Sequence, residues 1–347
     1  MKTHLVCERD VGLFSLIQQV IAHLPWAARR GRTPIVLFEG RCAYWTPEGH
    51  RGRSSVWEYY FEPVDRDHPA DSLAEETRRA LAERFPDPRE VGHALDTDTF
   101  ASSHFGDHPA LAGLTLSIPH GWRDPDGPVR RRAAQLIRAH LRPRDYLVDE
   151  VECFFRDALA GRKRVGVHMR GTDAVSSLED RAHRKNSLLH ERYRQEVARQ
   201  LAIHPDAAVF VATDDQRSLD FMREAFGRRV VACDSHRHTD GALAARGPTG
   251  ALMPAYVVAS PGLAARNGEE AVIEWLLLSR CDVLIHNGSS LARTALLANP
   301  SLPHVNTHDK NRWIAHAQTF SLAKLRRNVR RRVRHARVLA RGGSPDV

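Results

Sequence analysis

Three polar clusters in the second half of this chain follow directly on apolar runs, and their residue types suit an anionic ligand. His168, Arg170, Thr172 and Asp173 end or follow RVGVHM; Thr213, Asp214 and Asp215 follow VFVA; Asn287, Gly288, Ser289 and Ser290 follow DVLIH. The guanidinium of Arg170 is a planar fork matched to phosphate oxygens. Ser289 or Ser290 opens a run with helical spacing, and the unpaired N–H groups and dipole at a helix start make an anion site. The combination suits a diphosphate. No G-x-G-x-x-G follows a strand and no G-x-x-x-x-G-K-S/T occurs, so the dinucleotide fingerprint and the Walker A loop are both missing, and the dehydrogenase and P-loop readings lose support.

The elements that must position these residues are legible from apolar spacing. Short Val-rich runs, RVGVHMR (164–170), AAVFVATD (207–214), RVVACD (229–234), DVLIHNG (282–288) and LPHVNT (302–307), read as buried strands. Between them, residues 188–201 place Leu188, Leu189, Tyr193, Val197 and Leu201 on one helical face. RSLDFMREAFG (217–227), GEEAVIEWLLLSRC (268–281) and SSLARTALLAN (289–299) read as further helices. This alternation predicts an α/β fold with a doubly wound parallel sheet, whose ligand sits beyond the carboxyl ends of the strands. The first half mixes GLFSLIQQVIAHL (12–24) and PIVLF (34–38) with long polar loops and closes on IPHGWRDPDGPVRRR (118–132). A boundary near residue 145, before the helical run VDEVECFFRDALAG, divides the chain into 1–145, 146–323 and a tail, 324–347.

Composition bounds the function. With 347 residues, 42% hydrophobic and 27% charged, the chain matches a folded protein of two ordinary domains. No apolar run approaches the roughly 18 residues that span a bilayer, and the start, MKTHLVCERDVG, lacks the apolar stretch of a signal peptide. A cytoplasmic location is expected. Five cysteines without C-x-x-C spacing read as reduced, buried thiols. The net charge of +9 looks like a nucleic-acid signature until it is located. Segment 324–341 holds nine Lys/Arg and no acid, so the rest of the chain is neutral. In that tail Leu325, Val329, Val333, Ala336 and Leu339 recur at helical spacing. Two readings stand: a basic amphipathic helix docking on an anionic surface such as the inner membrane face, or a helix packed back on the protein's own body. Interleaved aromatics are absent from it, which counts against single-strand nucleic acid.

VGVHMRGTD (165–173), FVATDDQRSL (210–219) and LLLSRCDVLIHNGSSLARTAL (276–296) resemble, in order and spacing, the three motifs of the NodZ-like and α-1,6-fucosyltransferase family, and VWEYYFEP (56–63) resembles a segment of its bacterial members. The resemblance covers most of residues 10–308. It implies a GT-B fold, two Rossmann-like domains facing a cleft, with 1–145 on the acceptor side and 146–323 holding the nucleotide sugar. It also implies a metal-independent, inverting transfer from GDP-fucose to a glycan or glycoconjugate hydroxyl, with no cofactor beyond the donor. By position, Arg170 corresponds to the β-phosphate contact, His168 and Glu274 to guanine contacts, and Ser289 and Ser290 to phosphate contacts. Asp214 and Asp215 fall in the motif that shapes the donor site, with Thr172 and Thr213 beside it. Asp173 and Glu179 are the candidate catalytic carboxylates, Glu179 one position from the family's acidic residue. Gly171 stands where the family often has a second Arg, and Ala174 where it has Lys. These two losses of positive charge keep another GDP-, dTDP- or UDP-sugar open as donor. A non-catalytic protein binding nucleic acid or an acidic partner through the tail is the alternative outside this class.

Several residues carry competing readings. Asp214 and Asp215 also fit a turn and helix cap, or a cation site short of oxygen ligands. His236 and His238 in SHRHTD have no partner at ligand spacing and read as a solvated loop. Trp57 and Glu58 fit either the core and rim of the first domain or an acceptor contact. Glu274 fits either a solvent-facing helix position or a base contact.

Overall fold

The computed structural model describes residues 1–9, 11–85, 92–103, 111, 113–119, 123–170, 179–240, 244–246 and 252–308. Met1–Thr307 pack as one compact unit that holds two larger sheets and a two-stranded one. In the first, β1 (Thr3–Cys7) is followed by α1 (Leu13–Arg29) and β2 (Thr33–Leu37). Every residue of β1 is buried, as a central strand between parallel partners requires. α1 carries apolar residues on nearly all sides, and from Leu13 to Ala27 only Ser15 and Pro25 escape full burial. It is a core helix rather than a surface one. The short α2 (Val56–Tyr60) and α3 (Glu75–Arg84) precede β3 (Gly92–Ala94) and β4 (Thr99–Ser102). The sheet order is β2-β1-β4-β3, parallel except for the β3 edge.

α4 (Gly127–His140) and α5 (Asp145–Phe154), the latter continued by a π-helical turn at Phe155–Leu159, lead to the second sheet. α4 begins inside the Pro/Gly/Arg-rich stretch that closes the first half. The carboxylate of Asp126 accepts from the Val129 N–H at 2.9 Å, and Pro128 sits in the first turn, where its missing N–H costs nothing. Arg130 in that stretch is buried, and its guanidinium donates to the carbonyls of Leu296, Asn299 and Leu302, satisfying the end of a neighbouring helix.

The second half follows the predicted alternation: β5 (Arg164–Met169), α6 (Glu179–Ile203), β6 (Ala208–Thr213), α7 (Gln216–Phe226), β7 (Val230–Val231), a small hairpin of β8 (Ala244–Arg246) and β9 (Leu252–Pro254), α8 (Ala255–Ala259), α9 (Ala264–Ser279), β10 (Val283–His286), α10 (Ser290–Ala298) and β11 (His304–Asn306). The five-stranded sheet runs β7-β6-β5-β10-β11, all parallel. In sequence terms this is the order 3-2-1-4-5, and its direction reverses between β5 and β10. The GT-B expectation, two α/β sheets around a shared cleft, is the architecture found.

The halves are joined by packing through α9. Trp57 stacks on Phe61 with ring centres 4.6 Å apart, Phe61 meets Trp275 edge-on at 6.3 Å, and Trp275 meets Phe14 of α1 at 5.9 Å. Each such ring buried is worth about 1.5–3 kcal/mol. Tyr60 donates to the Ala265 carbonyl at 2.8 Å, and Gly268 lies so close that a Cβ there would fall 2.0 Å from the Tyr60 hydroxyl oxygen. VWEYYFEP is thus the anchor of the first half on α9, with Trp57 and Glu58 both buried.

Candidate functional site

The reversal between β5 and β10 places the ends of both strands at one pocket. It gathers His168, Arg170, Thr213, Asp214, Glu274, Ser289 and Ser290, seven of the eleven residues to which the resemblance gives a donor-site or catalytic role. The opposite wall comes from the first half: Val11 and Gly12 ahead of α1 and Leu13–Ser15 in its first turn, with Tyr44. The space between these walls is about 940 Å³ with open solvent included.

One end of the pocket is built from helix starts. Ser289 caps α10, its Oγ accepting from the Ala292 N–H at 3.1 Å and lying 3.0 Å from His168 Nδ1. Ser290 Oγ lies 2.8 Å from Ser15 Oγ in the first turn of α1, so two helix N-termini meet there. Both direct partial positive charge to the same space. Burial, helped by the nearby charge of Arg170, holds His168 neutral with its pKa near 3, so among the described residues the full positive charge lining this end is that of Arg170.

The other end is acidic. Glu270 and Glu274 stand one turn apart on α9 and face the pocket with Asp214. Burial pushes the Glu274 carboxyl up to about 8, Glu270 and Asp214 adding to the rise while Arg237 and the Ser235 hydroxyl, 3.2 Å from Oε1, oppose it. The SHRHTD segment is largely the solvated loop its composition suggests, with one histidine buried and the other reaching the pocket. His236 lines the pocket and meets Glu270 through its N–H at 3.0 Å and Nδ1 at 2.7 Å. His238 is 3% exposed and exchanges backbone hydrogen bonds with Asp214 and Gln216. The buried His238 is thus held by the end of β6 and the start of α7, and the exposed His236 by α9.

The adjacent aspartates divide their work. Asp215 is 1% exposed and caps α7, accepting from Ser218 Oγ at 3.0 Å and from the Arg217 N–H at 3.4 Å, and it does not line the pocket. Only Asp214 faces the space. Thr172 and Asp173 fall outside the described residues; Glu179 opens α6, with its side chain likewise outside the description. The cysteine expectation holds for Cys7, Cys42 and Cys281, which are buried, but Cys153 is exposed and Cys233 half-buried.

Sequence reasoning missed one cluster, Asp124, His286 and His304, whose ligand atoms lie within 4.8 Å of one another. Its hydrogen bonds argue for donors facing a carboxylate rather than lone pairs facing a cation. The Gly288 N–H donates to His286 Nδ1 at 2.9 Å and an Arg130 N–H to His304 Nδ1 at 3.4 Å, so in both rings Nδ1 accepts and the proton sits on Nε2. Those Nε2 atoms lie 3.7 and 3.4 Å from the Asp124 oxygens, and Asn306 donates to the same carboxylate at 3.0 Å. Asp124 is accordingly held below the usual carboxylate range, these donors outweighing its burial.

Among solved structures, the fucosyltransferase NodZ from Bradyrhizobium shares this fold with a TM-score of 0.53 at 16% identity, over 89% of this chain and 96% of that one. NodZ α-1,6-fucosyltransferase co-crystallized with GDP aligns at 0.52 and 17%, over 88% and 95%, and the form soaked with GDP-fucose at 0.50 and 18%, over 86% and 94%. No protein-family model and no curated protein sequence matches the chain. Among the described residues, no helix is long and apolar enough to cross a membrane.

Proposed function

We propose that this protein is a glycosyltransferase that moves fucose from GDP-fucose to a hydroxyl of a glycan or glycoconjugate, with inversion and without a metal. The observation that carries the reading is one pocket with Arg170 and the α10 N-terminus at one end and Glu274 at the other. The spacing of motifs that resembles the NodZ family and the shared fold support it. In this reading the diphosphate lies against Arg170, Ser289 and Ser290. Guanine sits near Glu274, where a carboxylate accepts from adjacent N1–H and N2–H donors that adenine and uracil do not offer as a pair; His168, expected at the base, instead lies 3.0 Å from the Ser289 hydroxyl at the diphosphate end. Thr172, Thr213 and Asp214 line the donor. The bond from the sugar C1 to the β-phosphate oxygen breaks while the acceptor oxygen bonds C1 from the opposite face. The acceptor proton passes to a carboxylate, Asp173 or Glu179, and the charge left on GDP is taken up by Arg170 and the helix amides. We assign residues 1–145 to the acceptor side and the tail to contact with an anionic surface.

Gly171 and Ala174 favour, as a second reading, the same chemistry with another GDP-sugar, because positive charge is missing beside the sugar phosphate. A donor panel tests both. GDP release from GDP-fucose in the presence of glycan acceptors supports the first, release from another GDP-sugar alone supports the second, and turnover only with UDP- or dTDP-sugars rejects both.

A further inference from the structure

The turn that carries the α10 amides into the pocket is held by two buried side chains that do not line it. Gly288 takes a left-handed backbone, φ 80°, open to glycine at little cost. Its N–H donates to His286 Nδ1 at 2.9 Å, and its carbonyl accepts from Nη1 of Arg293 at 2.8 Å. Both polar groups of one glycine are therefore satisfied by side chains. Nη2 of Arg293 donates at 3.1 Å to Ser290 Oγ, the hydroxyl that meets Ser15 of α1. Arg293 is 5% exposed, and its Nε has no hydrogen-bond partner among the described residues. Burial, reinforced by the charge of Arg170, pulls its guanidinium down to about 10, against the favourable pull of Asp124. A buried guanidinium with an open N–H is costly to the empty protein. An anion seated on the amides in front of it would offset that cost.

We propose that Arg293 and His286 are positioning residues for diphosphate binding: together they fix Gly288 so that the first amides of α10 face the pocket, and Arg293 adds positive charge behind them. This rests on the pocket being a nucleotide-diphosphate site. His286 accepts from the N–H two residues on, a geometry that an asparagine side chain reproduces in an Asx turn. His286→Asn therefore keeps the acceptor and His286→Leu removes it. Arg293→Lys keeps the charge without the fork, and Arg293→Met removes both.

The test is calorimetric binding of inorganic pyrophosphate and, separately, of guanosine to the full chain and these four variants, with melting curves to establish folding. His286→Leu and Arg293→Met are expected to weaken pyrophosphate about tenfold, the scale of a helix-terminus charge effect in a partly buried site. Guanosine affinity should not move, His286→Asn should restore most of the loss, and Arg293→Lys should fall between. Unchanged pyrophosphate affinity, an equal loss of guanosine, or a His286→Asn variant as weak as His286→Leu overturns the proposal. If Arg293→Met does not fold, the His286 pair decides. Failure of the donor reading looks different: the wild type would bind pyrophosphate yet prefer another nucleotide to GDP. A wild type that binds no pyrophosphate overturns both.

Discussion

The two ends of the pocket are built on opposite electrical plans. At the β5–β10 end, Arg170, the N-terminus of α10 and a neutral His168 supply positive potential; at the α9 end, Glu270 and Glu274 stand one turn apart, Asp214 at the end of β6 raises Glu274 further, and Glu274 holds its proton up to about 8. A ligand that is anionic at one end and rich in N–H donors at the other therefore has one favourable orientation. The division also separates tasks. Positive potential attracts any diphosphate, whereas the carboxylates reject bases that cannot donate to them.

Removing Arg170 should have the largest effect. Arg170→Ala is expected to lower transfer at least about a hundredfold, or roughly 3 kcal/mol in the transition state, and to weaken GDP and pyrophosphate while leaving guanosine untouched. Arg170→Lys should recover only part, because a point charge does not replace the fork. Near-normal turnover by the Ala variant would remove Arg170 from the mechanism.

Glu274→Gln should show the reverse pattern, about tenfold weaker for GDP and guanosine and unchanged for pyrophosphate. Equal losses of both probes in either variant would erase the distinction between the two ends. The pH dependence sharpens it further. The raised Glu274 pKa means that the empty folded protein keeps a proton that the unfolded chain has released, so this group destabilises the fold as pH rises from about 4.5 to about 8. If guanine binds the ionised form, GDP affinity should rise severalfold between about pH 6.5 and 8.5 in the wild type. It should stay flat in Glu274→Gln, which should also melt higher than the wild type at about pH 8. A flat wild-type profile contradicts the base contact.

The smallest expected effect is none at all: EDTA should leave turnover unchanged, because in the proposed reaction Arg170 and the helix start take up the charge of the departing diphosphate. Activity lost on chelation and restored by Mg²⁺ would make Asp214 a metal ligand instead.

The second sheet was legible because its strands are Val-rich runs that place their polar residues at the carboxyl ends, so Arg170, Asp214 and Ser289 could be named from spacing alone. The wall from the first half was not, since Val11, Gly12 and Tyr44 carry no chemistry that marks them. Arg130 was hidden in an Arg-rich run whose neighbours Arg131 and Arg132 are exposed; only tertiary contact with the end of α10 separates it from them. The burial of His238 and the pocket contact of His236 were hidden for the same reason, and the pairing of Asp124 with His286 and His304 spans residues too far apart for any local pattern to show.

The central claim is that the pocket takes GDP in one orientation. The most direct measurement is calorimetric titration of the full chain with GDP, ADP and UDP under identical buffer and salt. GDP binding at least about tenfold tighter than the other two is the predicted result, and equal affinity for the three, or a preference for UDP or ADP, would contradict the account.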